Sequence, residues 1–120
     1  MKTTISYLCT LLLLVCATAA FAELKTIGEG ANMGVDITGY PDKLKAIYPN
    51  FVKKCIKCHG MDRTFVTLQT GVTPSGTPFD GPAIEAYGAK MLRKPDGDMS
   101  RQEIKDFVEL MKYMADQAAK

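Results

Sequence analysis

Two cysteines and a histidine stand close together near the middle of the chain, at Cys55, Cys58 and His59, in the spacing C-x-x-C-H. Two thiols separated by two residues can form thioether bonds with the two vinyl groups of one porphyrin, and the adjacent imidazole is then placed beneath the iron as an axial ligand. The spacing therefore predicts one covalently attached haem c. Cys55 and Cys58 are its thioether residues and His59 is the proximal ligand of the iron.

Three other interpretations explain fewer of these features. A zinc site normally has four Cys or His ligands, and the predicted mature chain offers only Cys55, Cys58 and His59. A thioredoxin-like dithiol belongs to a βαβ pattern, whereas the residues before Cys55 are amphipathic and charged. A structural disulfide leaves the neighbouring histidine without a role. Covalent haem attachment is the interpretation that uses every residue of the motif.

The sixth ligand of the iron cannot be a second histidine of this chain, because His59 is its only histidine. A methionine, another group such as a lysine, water, or no ligand at all remain open. A thioether ligand raises the reduction potential relative to a second imidazole, which suits an electron carrier. The methionines available after the predicted cleavage are Met33, Met61, Met91, Met99, Met111 and Met114.

The first 22 residues have the pattern of an export signal. An apolar run from Leu8 to Ala17 precedes an A-x-A cleavage site at Ala20–Ala22. The apolar stretch is shorter than the roughly 20 residues that a membrane span requires. We therefore predict a cleaved signal peptide over 1–22, a location in the periplasm and no membrane insertion after cleavage. Cys9 and Cys16 leave with the signal.

The remaining 98 residues suffice for one small domain. The formal net charge of +2 lacks the basic excess of a nucleic-acid-binding protein, and a hydrophobic content of 47% is ordinary for a globular chain. We expect a monomer that binds no nucleic acid. Because such a small domain has a thin core, a bound cofactor would stabilise it considerably.

The local patterns predict an all-α domain over 41–120, preceded by a glycine-rich arm over 23–40 that is flexible or loosely docked. A first helix opens at Pro41, and Pro49 interrupts it or starts the next helix, which leads into the motif. Residues 60–81 are rich in turn formers and are predicted to wrap around the haem. The side chains predicted to line the haem pocket are Phe51, Phe65 and Phe79.

Two further helices follow in the sequence. Pro82 suits the first turn of a helix that reaches about Arg93. Ser100 and Glu103 have the spacing of a capping box at the start of the last helix. Met99, next to this cap, can form a hydrophobic staple with Ile104. No strand pattern competes with these helices.

The segment from Phe51 to Gly60, followed by a turn-rich region, a middle helix and a last helix containing Tyr113, resembles a class I c-type cytochrome over about residues 41–118. The resemblance implies a class I cytochrome c-like fold, with three to five helices wrapped around one haem. It also implies an aromatic contact between the first and last helices, made by Phe51 and either Tyr113 or Leu110. The stretch from Met91 through Ser100 is similar to small periplasmic monohaem cytochromes of metal-reducing bacteria.

The resemblance also bears on the sixth ligand. In class I relatives the ligand methionine lies a short distance before the cap of the last helix. Met91 lies nine residues before Ser100 and is the preferred distal ligand, whereas Met99 lies one residue before it and is the alternative. These relatives often carry a Gly-Pro pair whose carbonyl accepts from the haem histidine. Here Gly81-Pro82 comes too late in the chain for that role to be assigned.

These features predict a one-electron carrier rather than an enzyme, placed in a respiratory or extracellular electron-transfer chain with other cytochromes or a reductase or oxidase as partners. The alternative is a haem enzyme or ligand sensor with an open or displaceable sixth position. A haem subunit bound permanently to a larger oxidoreductase is a third possibility. Lys53, Lys54, Lys57 and Arg63 form either a basic collar for acidic partners or a solvated face that balances the haem propionates.

Overall fold

A computed structural model describes residues 23–120, and the predicted signal peptide lies outside them. The described chain is mostly helical. None of the helices in this part of the chain combines the length and hydrophobicity of a membrane-spanning helix. The four helices are α1 (Asp42–Cys55), α2 (Met61–Thr70), α3 (Gly81–Leu92) and α4 (Arg101–Ala118).

α1 is a single helix, although Pro49 lies inside it. The predicted break at Pro49 is therefore wrong. A proline within a helix removes one backbone hydrogen bond and crowds the preceding turn. However, Leu44 and Phe51, on either side of the proline, are both buried in the core. Their burial outweighs the local cost, and the helix continues without interruption to Cys55.

α2 occupies the first half of the stretch that was predicted to consist of turns, so that prediction is wrong for Met61–Thr70. Met61, Phe65 and Leu68 follow a helical i, i+4, i+7 spacing, and all three are buried. After Gly60, the glycines and prolines of this region begin only at Gly71. Gly71 ends α2 with a φ of +67°, a left-handed conformation that glycine adopts without strain.

α3 and α4 begin where the sequence predicts. The Asp80 carboxylate accepts from the backbone N–H of Ala83 at 3.1 Å, and Pro82 occupies the first turn of α3. At the start of α4 the Ser100 hydroxyl accepts from the Glu103 N–H at 3.1 Å, and the Glu103 carboxylate accepts from the Ser100 N–H at 2.7 Å. The predicted capping box is thus confirmed.

α1 and α4 meet at an aromatic contact in the centre of the core. The rings of Phe51 and Phe107 lie 5.5 Å apart in an edge-to-face arrangement. This corrects the prediction for Tyr113, whereas the predicted contact of Phe51 with Leu110, which is also fully buried, stays a prediction. Tyr113 instead packs edge-on against Tyr40 at 4.8 Å. Tyr113 lies six positions after Phe107, which corresponds to about 9 Å along a helix, so the two aromatic contacts are separate.

Residues 23–40 contain a small sheet in place of the predicted flexible or loosely docked arm. β1 (Thr26–Ile27) pairs antiparallel with β2 (Gly34–Val35), with Thr26 opposite Val35. A short 3-10 turn, Gly30–Asn32, joins the two strands. The sheet was not predicted, because two-residue strands are too short to show an alternating pattern in the sequence.

Backbone hydrogen bonds to side chains attach this segment to the helices. The N–H of Leu24 donates to the Gln69 side chain on α2 at 2.7 Å, and the N–H of Val35 donates to the Tyr48 hydroxyl on α1 at 2.8 Å. The side chains of Leu24 and Val35 are buried. The N-terminal segment is therefore part of the core.

α3 and α4 pack closely at Gly88. A Cβ atom on residue 88 would lie 2.6 Å from Cγ2 of Val108 and 3.2 Å from Cγ2 of Ile104, so glycine is what permits this approach. Met91 lies on the same helix, three residues further on. The position of Met91 relative to the core therefore depends on the contact at Gly88.

Candidate functional site

The C-x-x-C-H residues occupy the short link between α1 and α2. Cys55 is the last residue of α1 and is only 4% exposed, whereas Cys58 is exposed and His59 is half-buried. The N–H of Cys58 donates to the carbonyl of Cys55 at 3.4 Å, which makes the link a tight turn. Both thiols are free. The turn buries one thiol within the protein and leaves the other at its surface.

His59 is oriented by the residue that follows it. Its Nδ1 lies 3.1 Å from the carbonyl oxygen of Gly60. Because a carbonyl can only accept, Nδ1 donates its proton in this bond, and the Nε2 lone pair is left for an axial bond to a metal. A Cβ atom on residue 60 would lie 3.0 Å from Cα of Ala31, so the 3-10 turn supports this part of the motif.

A cleft that we call the main cleft begins at Cys55 and His59 and extends between α2, α3 and the loop 71–80. About 570 Å³ of space lies between its walls, and part of that space is open solvent. Its walls are mostly apolar, with hydroxyl groups on one side. The remaining lining residues are Arg63, Thr64, Thr67, Thr73, Pro74, Phe79, Tyr87, Met91 and Met111.

The loop 71–80 forms a well-ordered wall of the main cleft. The N–H of Thr73 donates to the carbonyl of Thr77, and the N–H of Phe79 donates to the carbonyl of Gly71, both at 2.8 Å. The buried Thr73 hydroxyl also accepts from the Thr77 N–H at 3.1 Å. Internal hydrogen bonds therefore hold Thr73 and Phe79 against the cleft.

A second cleft, which we call the side cleft, shares Cys55, His59 and Met91 with the main cleft. It has a volume of about 700 Å³, also including open space. One of its walls is the loop between α3 and α4. Because the two clefts share these residues, they adjoin each other at the motif. The other lining residues are Lys54, Cys58, Lys94, Gly97 and Met99.

The methionines differ in their access to these clefts. Met91 lies in the last turn of α3, is half-buried and lines both clefts, whereas Met99 lines only the side cleft. Met61 and Met114 are fully buried in the core. Met111 is buried on α4 and also lines the main cleft. Its spacing in the helix is the same for a core residue and for a residue that lines the cleft, so the sequence did not reveal this position. Met91 is thus the methionine common to both clefts.

The three aromatic residues predicted for a haem pocket are divided between the core and the cleft. Phe79 lies in the wall of the main cleft, but Phe51 and Phe65 are fully buried and their rings lie 6.4 Å apart in the core. Tyr87, which was not predicted as a pocket residue, also lines the main cleft and contacts Phe79 edge-on at 5.1 Å. The aromatic wall of the cleft is therefore Phe79 with Tyr87.

The basic residues around the motif do not form the uniform collar considered above. Lys54 Nζ lies 3.2 Å from Oδ2 of Asp98, and Lys57 Nζ lies 3.7 Å from the same oxygen. Arg63 and Lys53 are both exposed, and Arg63 also lines the main cleft. Two of the four charges are thus partly neutralised by one carboxylate, a partner 44 residues beyond Lys54 in the chain.

Burial raises the pKa of the Cys55 thiol to about 12, and the neighbouring Cys58 adds to the shift. Cys55 is therefore a neutral thiol at neutral pH. A catalytic dithiol requires the opposite shift, since it works through a thiolate of lowered pKa. Within residues 23–120, no group of three or more His, Cys, Asp or Glu side chains is arranged to hold a metal ion. The raised pKa of Cys55 therefore gives no support to a catalytic dithiol, and the described side chains give none to a zinc site.

Comparisons with protein-family models, with curated proteins and with solved structures find no match for this chain. The case for a cofactor therefore depends on the residues themselves. Two free thiols, an imidazole with Nε2 available and the thioether of Met91 all line the mostly apolar side cleft, and three of these four groups also line the main cleft. This donor set fits a covalently held haem.

Proposed function

We propose that this protein is a periplasmic monohaem c-type cytochrome of the class I kind that transfers single electrons. The observation that carries the proposal is the common location of Cys55, Cys58, His59 and Met91 around adjoining clefts. The lining of the main cleft supports it, because mostly apolar walls exclude water from the iron and help to set its reduction potential. The predicted signal peptide supports the location.

Each residue of the motif has a separate task in this proposal. Cys55 would hold the haem from a buried position and Cys58 would hold it from the surface, because the two thiols differ in exposure. His59 offers Nε2 to the iron while Gly60 fixes the ring through Nδ1. Met91 would supply a thioether ligand to the iron. When bound, the haem supplies a reversible one-electron couple.

Arg63 supplies positive charge within the main cleft. A guanidinium can bind a carboxylate through two parallel hydrogen bonds, so we assign Arg63 to the haem propionates. This is the charge-balancing role that the sequence left open for the basic residues near the motif. The assignment also agrees with the hydroxyl groups of Thr64 and Thr67 on the same side of the cleft.

Electron exchange takes place at the surface around Cys58 and Ile56. Cys58 is exposed, and 38% of Ile56 is accessible to solvent. Redox encounters use small, weak interfaces, so a limited exposed edge is sufficient. We propose redox proteins as partners, either other cytochromes or a reductase or oxidase.

Haem retention tests this proposal directly. Protein matured in a host that attaches c-type haem is extracted with acidified acetone, beside a variant with Cys55→Ser and Cys58→Ser. We expect the haem to remain with the wild-type protein, because thioether bonds survive extraction, and the double variant to yield little folded holoprotein. Clean extraction of the haem from the wild-type protein would contradict covalent attachment.

An optical redox titration of the same wild-type protein then separates a carrier from a haem enzyme or ligand sensor. A methionine-to-iron charge-transfer band in the oxidised spectrum and a reversible one-electron transition support the carrier. Absence of the band, together with rapid binding of added ligands, would favour an open or displaceable sixth position.

A further inference from the structure

The loop between α3 and α4 is tied to the motif by one acidic residue. Asp98 accepts from Lys54 through both its carboxylate and its backbone carbonyl, and its carboxylate also pairs with Lys57. These lysines directly precede the two cysteines of the motif in the sequence. The Lys54 side chain is only 14% exposed, which reduces the solvent screening of its ion pair. Asp98 thus connects the loop to both haem-attachment positions.

Met99 follows Asp98 and is held from both sides. Asp98 has a φ of +46°, a left-handed conformation that aspartate tolerates better than most residues. On the other side, the capping box fixes the backbone of Ser100, and Glu103 of that box also lies 3.7 Å from Lys54. The backbone on each side of Met99 is therefore fixed by side chains from other parts of the sequence.

We infer that Asp98 is a positioning residue, whose ion pairs hold Met99 in the side cleft and leave Met91 as the methionine that binds the iron. The inference rests on the proposed function. It follows from the placement of the two methionines. Both line the side cleft beside Cys55, Cys58 and His59, but only Met91 also lines the main cleft, while the loop that carries Met99 is tied back by Asp98. Releasing the loop should therefore allow Met99 to act as a substitute ligand.

The test compares holoproteins with Met91→Ala, alone and combined with Asp98→Gly. Glycine suits the positive φ of this position and removes the carboxylate. We expect Met91→Ala to lose the methionine-to-iron charge-transfer band and the double variant to regain it. The matched control is Met91→Ala with Asp96→Gly, which adds the same backbone freedom to the same loop at a residue without an ion pair among the described residues. We expect that control to lack the band.

Amide exchange gives a readout that does not depend on the ligand. The N–H of Gly97 donates to the carbonyl of Lys94 at 3.1 Å within the loop. In the Asp98→Gly holoprotein we expect this amide to exchange about two- to fivefold faster. The reason is that the variant loses surface ion pairs that restrain the loop, and such pairs contribute only a small free energy. Asp96→Gly should leave the exchange unchanged.

Several results would overturn the inference. The charge-transfer band could survive Met91→Ala, or it could fail to return when Asp98→Gly is added. The band could also return equally well when Asp96→Gly is added, or the Gly97 amide could exchange at an unchanged rate in Asp98→Gly. A wild-type protein that retains haem but lacks the band would also overturn it, while leaving covalent attachment intact. Loss of haem on extraction would instead count against the proposed function.

Discussion

The main cleft and the side cleft share Cys55, His59 and Met91, but different forces hold their walls. The main cleft is bounded by α2 and α3, which are packed into the core, and by a loop with its own internal hydrogen bonds. The side cleft has one wall made by the loop between α3 and α4, which is attached through the ion pairs of Asp98. Charge screening does not act on apolar packing, whereas exposed ion pairs weaken as salt rises.

This difference indicates a division of labour around the motif. A cleft with rigid, mostly apolar walls suits a cofactor that must stay in one orientation. A wall held by surface charges opens at a lower free-energy cost, because local opening is easiest where few apolar contacts are lost. We therefore expect damage to the main cleft to affect global stability and damage to the side cleft to have smaller, condition-dependent effects.

The largest effect is expected from Gly88→Leu, which breaks the support behind the main cleft. A side chain here would clash with Val108 and Ile104, and overpacking of this kind costs about 1–3 kcal/mol. Urea unfolding of the holoprotein measures the loss. Gly81→Ala is the matched control, because a Cβ there would meet only Lys112 Cε at 3.8 Å. Equal stability of Gly88→Leu and wild type would show that α3 and α4 can separate freely.

An intermediate effect is expected from Thr73→Val, which removes a buried hydroxyl from the loop wall of the main cleft. The hydroxyl accepts from the Thr77 N–H and contacts the hydroxyls of Ser75 and Thr77. Loss of such a group costs about 1–2 kcal/mol when its partners stay unsatisfied. Thermal unfolding provides the measurement, and Thr70→Val, at an exposed hydroxyl, is the control. An equal loss of stability in both variants would mean that the burial of the Thr73 hydroxyl does not add to its contribution.

The smallest effect concerns the side cleft and depends on pH. The Ser100 N–H, followed by the Asn50 amide, lowers the pKa of the Glu103 carboxyl to about 2 from an ordinary value of 4.5. Because the pKa is lower in the folded state than in the unfolded state, the ionised carboxylate stabilises the fold at pH values above the unfolded pKa. This stabilisation disappears as the pH falls through about 2. Wild type should therefore lose its stability advantage over Glu103→Gln between about pH 5 and pH 2.

Urea unfolding of both proteins across this pH range is the measurement. Other acidic groups titrate in both proteins, so their contributions cancel in the difference between the two free energies of unfolding. A difference that stays constant with pH would show that the capping carboxylate gains nothing from its charge. It would also weaken the contrast between a main cleft held by packing and internal hydrogen bonds and a side cleft with one wall held by charges.

The parts of the fold that follow from local signals were predictable. The capping box of Ser100 and Glu103 and the proline in the first turn of α3 depend on neighbouring residues only. α2 was missed because turn formers after Gly71 obscured the shorter apolar spacing of Met61, Phe65 and Leu68. The predictions that failed most clearly were those that required knowing which distant side chains meet.

The sequence by itself determined the starts of α3 and α4, because helix caps act over a few residues. The thiol spacing of the motif likewise acts over a few residues, and the motif chemistry that it predicts stays a prediction. Only the tertiary structure decided that Phe107 is the ring that meets Phe51, and that Met91 alone of the two candidate ligands adjoins both clefts. It also decided that Asp98 pairs with Lys54, 44 residues away. Contacts of this kind depend on how the helices cross, and that geometry is set by the whole core together.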